Sequence, residues 1–135
     1  MKRRDFLILS TAVTLLPFAT QAGEPVLYTP GAAEAAMDAG QIVVLDFWAS
    51  WCSTCAAQQR VLAALKAENP DYEQNIAFFL VDWDEYGDAA LSKALNIPRR
   101  STLVALKGRQ EIGRIVAGTS KAEIKALLDS ALGST

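Results

Sequence analysis

Near the middle of the chain an unbroken apolar stretch, Ile42-Val43-Val44-Leu45-Asp46-Phe47-Trp48, carries no polar face and only one charge. A strand that is apolar on both faces is one covered from both sides by helices. Around it the pattern changes period. Residues 30–39 are rich in helix formers and stop at Gly40, a natural place for a helix to end. Residues 55–68 place Val61, Leu62 and Leu65 at helical spacing and run into Asn69-Pro70. Residues 76–81 form a second apolar run, and residues 88–95 fit a short helix. Two strands, 102–106 and 111–116, flank a turn at Lys107-Gly108. A last helix opens on the capping box Ser120-x-x-Glu123, buries Ile124, Leu127 and Leu128, and ends at Gly133. Two hairpin-linked strands between the last helices, after a strand-helix-strand order, predict an α/β fold: a central mixed β-sheet with helices on both faces.

The first 22 residues do not join this pattern. Met1-Lys2-Arg3-Arg4-Asp5 is charged, an apolar stretch follows to Phe18, and small residues stand at Thr20 and Ala22. This reads as a secretory signal cleaved after Ala22, and Arg3-Arg4 before Phe6-Leu7 resembles a twin-arginine export signal. A retained membrane anchor is the other reading. It is disfavoured because residues 6–18 fall short of the roughly 20 needed to span a bilayer and include Ser10, Thr11, Thr14 and Pro17. The expected mature chain, 23–135, is long enough for one domain with its own core. Of 13 basic and 15 acidic residues, removing Lys2, Arg3, Arg4 and Asp5 leaves 10 and 14, a net charge of −4. That acidity gives no ground for a nucleic-acid partner.

The chemistry is carried by Cys52-Ser53-Thr54-Cys55, directly after the apolar strand. With Cys52 at a helix N-terminus and Cys55 one turn later, the two share a face about 5–6 Å apart, within reach of a disulfide. The unsatisfied N–H groups and positive end of that helix favour an anion at Cys52 and lower its thiol pKa. Cys52 is then the attacking thiolate and Cys55 the resolving thiol. Asp46, alone in an apolar strand, is expensive to bury as a charge, and burial raises its pKa.

The decapeptide Asp46-Phe47-Trp48-Ala49-Ser50-Trp51-Cys52-Ser53-Thr54-Cys55 resembles the active-site segment of thioredoxins, D-F-W-A-x-W-C-x-x-C, and a weaker likeness extends over about residues 28–132. The resemblance implies the thioredoxin fold, a redox-active Cys52-Cys55 disulfide, and Asp46 as proton acceptor for Cys55. It places Trp51 beside Cys52 as a candidate substrate contact, with Trp48 packed in the core.

Three departures qualify it. Thioredoxins carry a cis-proline directly before a Thr-Leu strand opposite the cysteines; aligning on Thr102-Leu103 puts Ser101 there, so a trans peptide is expected. An alternative register, with a small bulge, makes Pro98 the cis-proline. In either register the loop 99–102 is expected beside the sulfurs, with Arg100, Ser101 and Thr102 as substrate-binding candidates and the two arginines making a positive rim. Second, Ser53-Thr54 replaces the Gly-Pro of thioredoxins and the Pro-His of the oxidant DsbA, and the chain contains no histidine. A potential nearer the reducing end of the roughly −270 to −120 mV range is therefore expected. Third, Leu80 occupies the place of a thioredoxin lysine near the buried aspartate. The acidic group Asp82, Asp84, Glu85 and Asp88 is expected to be a solvated loop, since the twelfth position counted from Asp82 is Lys93 and no calcium loop results.

Without histidine there is no Cys-His or Ser-His nucleophile pair, no glycine-rich phosphate loop follows a strand, and two cysteines alone do not complete a zinc site. The expected function is a periplasmic thiol-disulfide oxidoreductase that reduces disulfides of substrate proteins, without cofactor or metal and as a monomer. Likeness of the region 80–95 to the C-terminal domain of DsbD makes a membrane electron transporter of that type the expected reductant. The alternatives are a disulfide-forming oxidant and a module holding a metal or cluster at a dimer interface.

Overall fold

A computed structural model describes residues 25–134; the expected signal sequence lies outside them. The elements are β1 (Val26–Leu27), α1 (Ala32–Asp38), β2 (Ile42–Trp48), α2 (Ser53–Glu68), α3 (Asp71–Asn75), β3 (Ile76–Asp82), α4 (Trp83–Tyr86), α5 (Ala90–Ala94), β4 (Thr102–Lys107), β5 (Gln110–Val116) and α6 (Lys121–Leu132). Together β1, α3 and α4 add to the elements read from the sequence. Of the acidic group, Asp82 ends β3, Asp84 and Glu85 lie in α4 rather than in a loop, and Asp88 lies in the turn after it. Asp82 caps the single turn of α4, its carboxylate accepting the Asp84 N–H at 2.9 Å.

The five strands form one sheet in the order β1-β3-β2-β4-β5. β3 runs parallel to β1 and β2, while β4 runs antiparallel to β2 and β5. β2 is central, and its period-two alternation divides the core. Ile42 and Val44 face Leu62 and Leu65 of α2, Tyr72 of α3, and Ile124, Leu127 and Leu128 of α6. Val43, Leu45 and Phe47 face Ala33 and Met37 of α1 and Leu91 of α5. Asp46 continues the first set, so it points to the side of the sheet that α2 covers. The hairpin between β4 and β5 turns through Gly108 at φ +58, and its N–H donates to Gln41 O at 3.0 Å. Only glycine takes that left-handed backbone without steric cost.

Candidate active site

β2 ends at Trp48, and the chain turns through Ala49-Ser50-Trp51 to bring Cys52 to the start of α2, with the Cys52 N–H bonded to Ala49 O at 3.1 Å. Cys52 is the N-cap: its backbone is extended, and its Sγ accepts the Cys55 N–H at 3.2 Å. A sulfur here takes the place of the serine or aspartate oxygen that satisfies a free N–H in most caps. The two cysteines form a disulfide across a Cα–Cα distance of 5.3 Å. Cys52 is 6% exposed and Cys55 is 0% exposed, so an incoming thiolate meets Cys52 first. Around them pack Ala49, Trp48 and Trp83.

The loop 99–102 lies against the sulfurs, as expected. Among the described residues there is no cis peptide bond, which corrects the alternative register built on Pro98. Ser101 adopts a left-handed backbone, φ +63, and three hydrogen bonds hold it there. Its N–H donates to Phe47 O at 2.7 Å, and its carbonyl accepts from the Ala117 N–H at 2.8 Å and from Gln58 Nε2 at 2.9 Å. The Ser101 Oγ lies 3.1 Å from each sulfur. Thr102 donates its hydroxyl to Arg99 O at 2.7 Å. Ser101 and Thr102 are both fully buried. Both side chains are used inside the protein.

What does face solvent beside Cys52 is Trp51, 60% exposed. The Arg100 guanidinium stacks over its ring at 4.4 Å, and its Nε1 donates to Asp84 Oδ2 at 2.9 Å. The rim thus pairs a cation and an anion through one indole. The expectation of a purely positive rim did not include Asp84, which sits 33 residues from Trp51 in sequence.

Asp46 is 7% exposed, and its Oδ1 has no hydrogen-bond partner among the described residues. Burial pushes its carboxyl up to about 7, against a pull downward from the Lys66 ammonium. In register Asp46 lies beside Leu80 of β3, which supplies no charge. The nearby cation comes from α2 instead. Lys66 reaches over the Phe78 ring, 3.9 Å from its centroid, and borders with Asp46 a cleft of about 450 Å³. The Asp46 carboxyl therefore borders a cleft lined by α2 and β3, with neither cysteine in its wall.

The thioredoxin family model matches residues 29–130. The chain belongs to the thioredoxin family. It is similar to a thioredoxin H-type from Brassica campestris, 33% identical over 95 residues, which cover 70% of this chain and 72% of that protein. A thioredoxin H-type from Fagopyrum esculentum is 37% identical over 89 residues, covering 66% and 71%. Among solved structures, Trxlp from Edwardsiella tarda superposes with a TM-score of 0.66 at 30% identity, covering 76% of this chain and 97% of that one. As a thioredoxin with an intact C-x-x-C, the protein is a thiol-disulfide oxidoreductase acting on protein disulfides.

Gln58 was not apparent from sequence. Fully buried, its amide donates to Ser101 O and to Gly118 O, both at 2.9 Å, tying α2 to the loops before β4 and after β5. Its signal was a polar residue on the buried stripe Cys55, Gln58, Leu62, Leu65.

Proposed function

We propose that the protein is an exported, periplasmic reductant of protein disulfides, recharged by a membrane dithiol transporter of DsbD type. The observation that carries the reaction is the disulfide at the start of α2, with Cys52 6% exposed and Cys55 fully buried. In the reduced protein the Cys52 thiolate attacks one sulfur of a substrate disulfide, forming a mixed disulfide and releasing the other substrate sulfur as a thiolate. Asp46, whose carboxyl titrates near neutrality, accepts the Cys55 proton. The Cys55 thiolate then attacks Cys52 Sγ and releases the second substrate thiolate. Two electrons pass to the substrate, and the protein is left with the Cys52–Cys55 bond. Trp51 and Arg100 supply the surface on which the substrate rests beside Cys52. The Arg3-Arg4 leader supports export, and the absence of a histidine between the cysteines supports a reducing potential.

Trapping decides the roles. Cys55→Ser is expected to hold substrate proteins as mixed disulfides in periplasmic extracts, and Cys52→Ser to hold none; the reverse pattern would exchange the two assignments. A potential against glutathione above about −160 mV would make the protein an oxidant rather than a reductant. Stoichiometric metal in protein purified without chelator, with no insulin reduction, would favour the metal-holding module.

A further inference from the structure

Among the described residues, the one polar side chain hydrogen-bonded to both sulfurs is Ser101. It is fully buried, so its hydroxyl has no competing solvent. A disulfide carries no proton, so in this oxidised state only the hydroxyl can donate, its single proton shared between the two sulfurs 3.1 Å away. Disulfide sulfur is a weak acceptor. A thiolate is a strong one, and hydrogen bonds to ionised partners are roughly twice as strong as neutral ones. A serine hydroxyl offers one donor and two acceptor lone pairs, which matches one thiolate and one thiol.

We infer that the Ser101 hydroxyl bridges the two sulfurs in the reduced protein, donating to the Cys52 thiolate and accepting from the Cys55 thiol, and is thus a catalytic residue of the exchange. The electron count is simple. A donor dithiol gives up two electrons and becomes a disulfide; Cys55 keeps one proton, Cys52 emerges as a thiolate, and the second proton goes to solvent. The bridge stabilises that reduced product more than the disulfide. It also holds the proton on Cys55 until the mixed disulfide forms, when Cys52 ceases to be an anion and the Ser101 donor is released from it.

The backbone is built to place this hydroxyl. Ser101 at φ +63 and Ala117 at φ +63 are both non-glycine residues in the left-handed region, and they are hydrogen-bonded to each other across the ends of β4 and β5. Such conformations cost energy and persist where the surroundings over-determine them. Here the Phe47, Ala117 and Gln58 contacts do so.

The inference rests on the thiol-exchange reading above, and the test separates the two. Ser101→Ala removes the hydroxyl and keeps the Cβ; Ser101→Gly removes it and relieves the backbone. Both leave the Cys55 N–H on Cys52. Cys52 ionisation is followed by thiolate ultraviolet absorbance and by the pH dependence of iodoacetamide alkylation, and the exchange constant is measured against glutathione. Both variants are expected to raise the Cys52 pKa by about one unit and to shift the exchange constant about tenfold toward the disulfide, about 30 mV more reducing. No shift in either variant, or a shift in Ser101→Gly alone, would overturn the inference, the latter because it would trace to backbone relief. Failure of the wild-type protein to exchange with glutathione or reduce insulin would overturn the functional reading instead.

Discussion

Replacing Asp46 by Asn should stabilise the oxidised protein at high pH and leave it much less affected at low pH. The carboxyl titrates at about 7 in the fold, against 3.8 for its ordinary value, because burial disfavours its charged form. Between those two values the unfolded chain releases this proton and the folded chain keeps it. The unfolded state therefore binds fewer protons, and stability falls as pH rises from about 4 to about 7, then stays level. A separation of about three pH units at 1.36 kcal/mol each amounts to about 4 kcal/mol over the whole interval. Between pH 5 and pH 8.5 the part still to be lost is about 3 kcal/mol. Any cost of burying the amide is the same at both pH values and cancels in the comparison. Urea denaturation of wild type and Asp46→Asn, both oxidised, at pH 5 and pH 8.5 reads the double difference directly. The variant should gain about 3 kcal/mol on wild type between the two conditions. Equal gaps at both pH values would mean that Asp46 is ionised in the fold throughout, and the assignment of a neutral-pH proton acceptor would go with it.

Two further outcomes follow from the same surroundings. Lys66→Met removes the positive charge that pulls the Asp46 carboxyl down, so its midpoint, read by carbon NMR of the side-chain carboxyl, should move above about 7; an unchanged midpoint would show that the cleft screens the pair. Gln58→Leu removes both amide hydrogen bonds to the loops flanking the site; at about 1 kcal/mol each, urea unfolding should report a loss of about 2 kcal/mol together with slower insulin reduction, and a loss under about 0.5 kcal/mol would remove Gln58 from the loop anchorage.

The parts of the fold that were legible in sequence are those with a long apolar run or a helical period, β2, α2, β3 and α6, and those marked by composition and turn residues, α1, α5, β4 and β5. β1 has two residues and no period to read. α3 and α4 are held by short-range features, a start at Pro70 and a cap at Asp82, which look like loop composition. At the site, Asp46 was visible because one charge in an apolar strand is anomalous by itself, and the cysteines because their spacing is a chemical statement. The Trp51–Asp84 and Gln58–Gly118 contacts were not, because they join residues far apart in the chain and depend on how loops meet. The Lys66 position was hidden for a related reason: a lysine on a mixed helix face announces nothing until the sheet beneath it is known. The nearness of residues 99–102 to the sulfurs followed from resemblance, but the aim of the Ser101 hydroxyl depends on a left-handed backbone that no local pattern signals.

The hydrogen bond from Ser101 N–H to Phe47 O has a consequence for which residue can stand there. An imino acid at position 101 would have no N–H to give and would need φ near −65°, where this chain holds +63°. A single change from serine to proline would therefore remove one hydrogen bond at the end of the β2–β4 pairing and force a different backbone there. The backbone at this position thus disfavours proline, and the hydroxyl beside the sulfurs is set by the same turn that the Phe47 carbonyl holds.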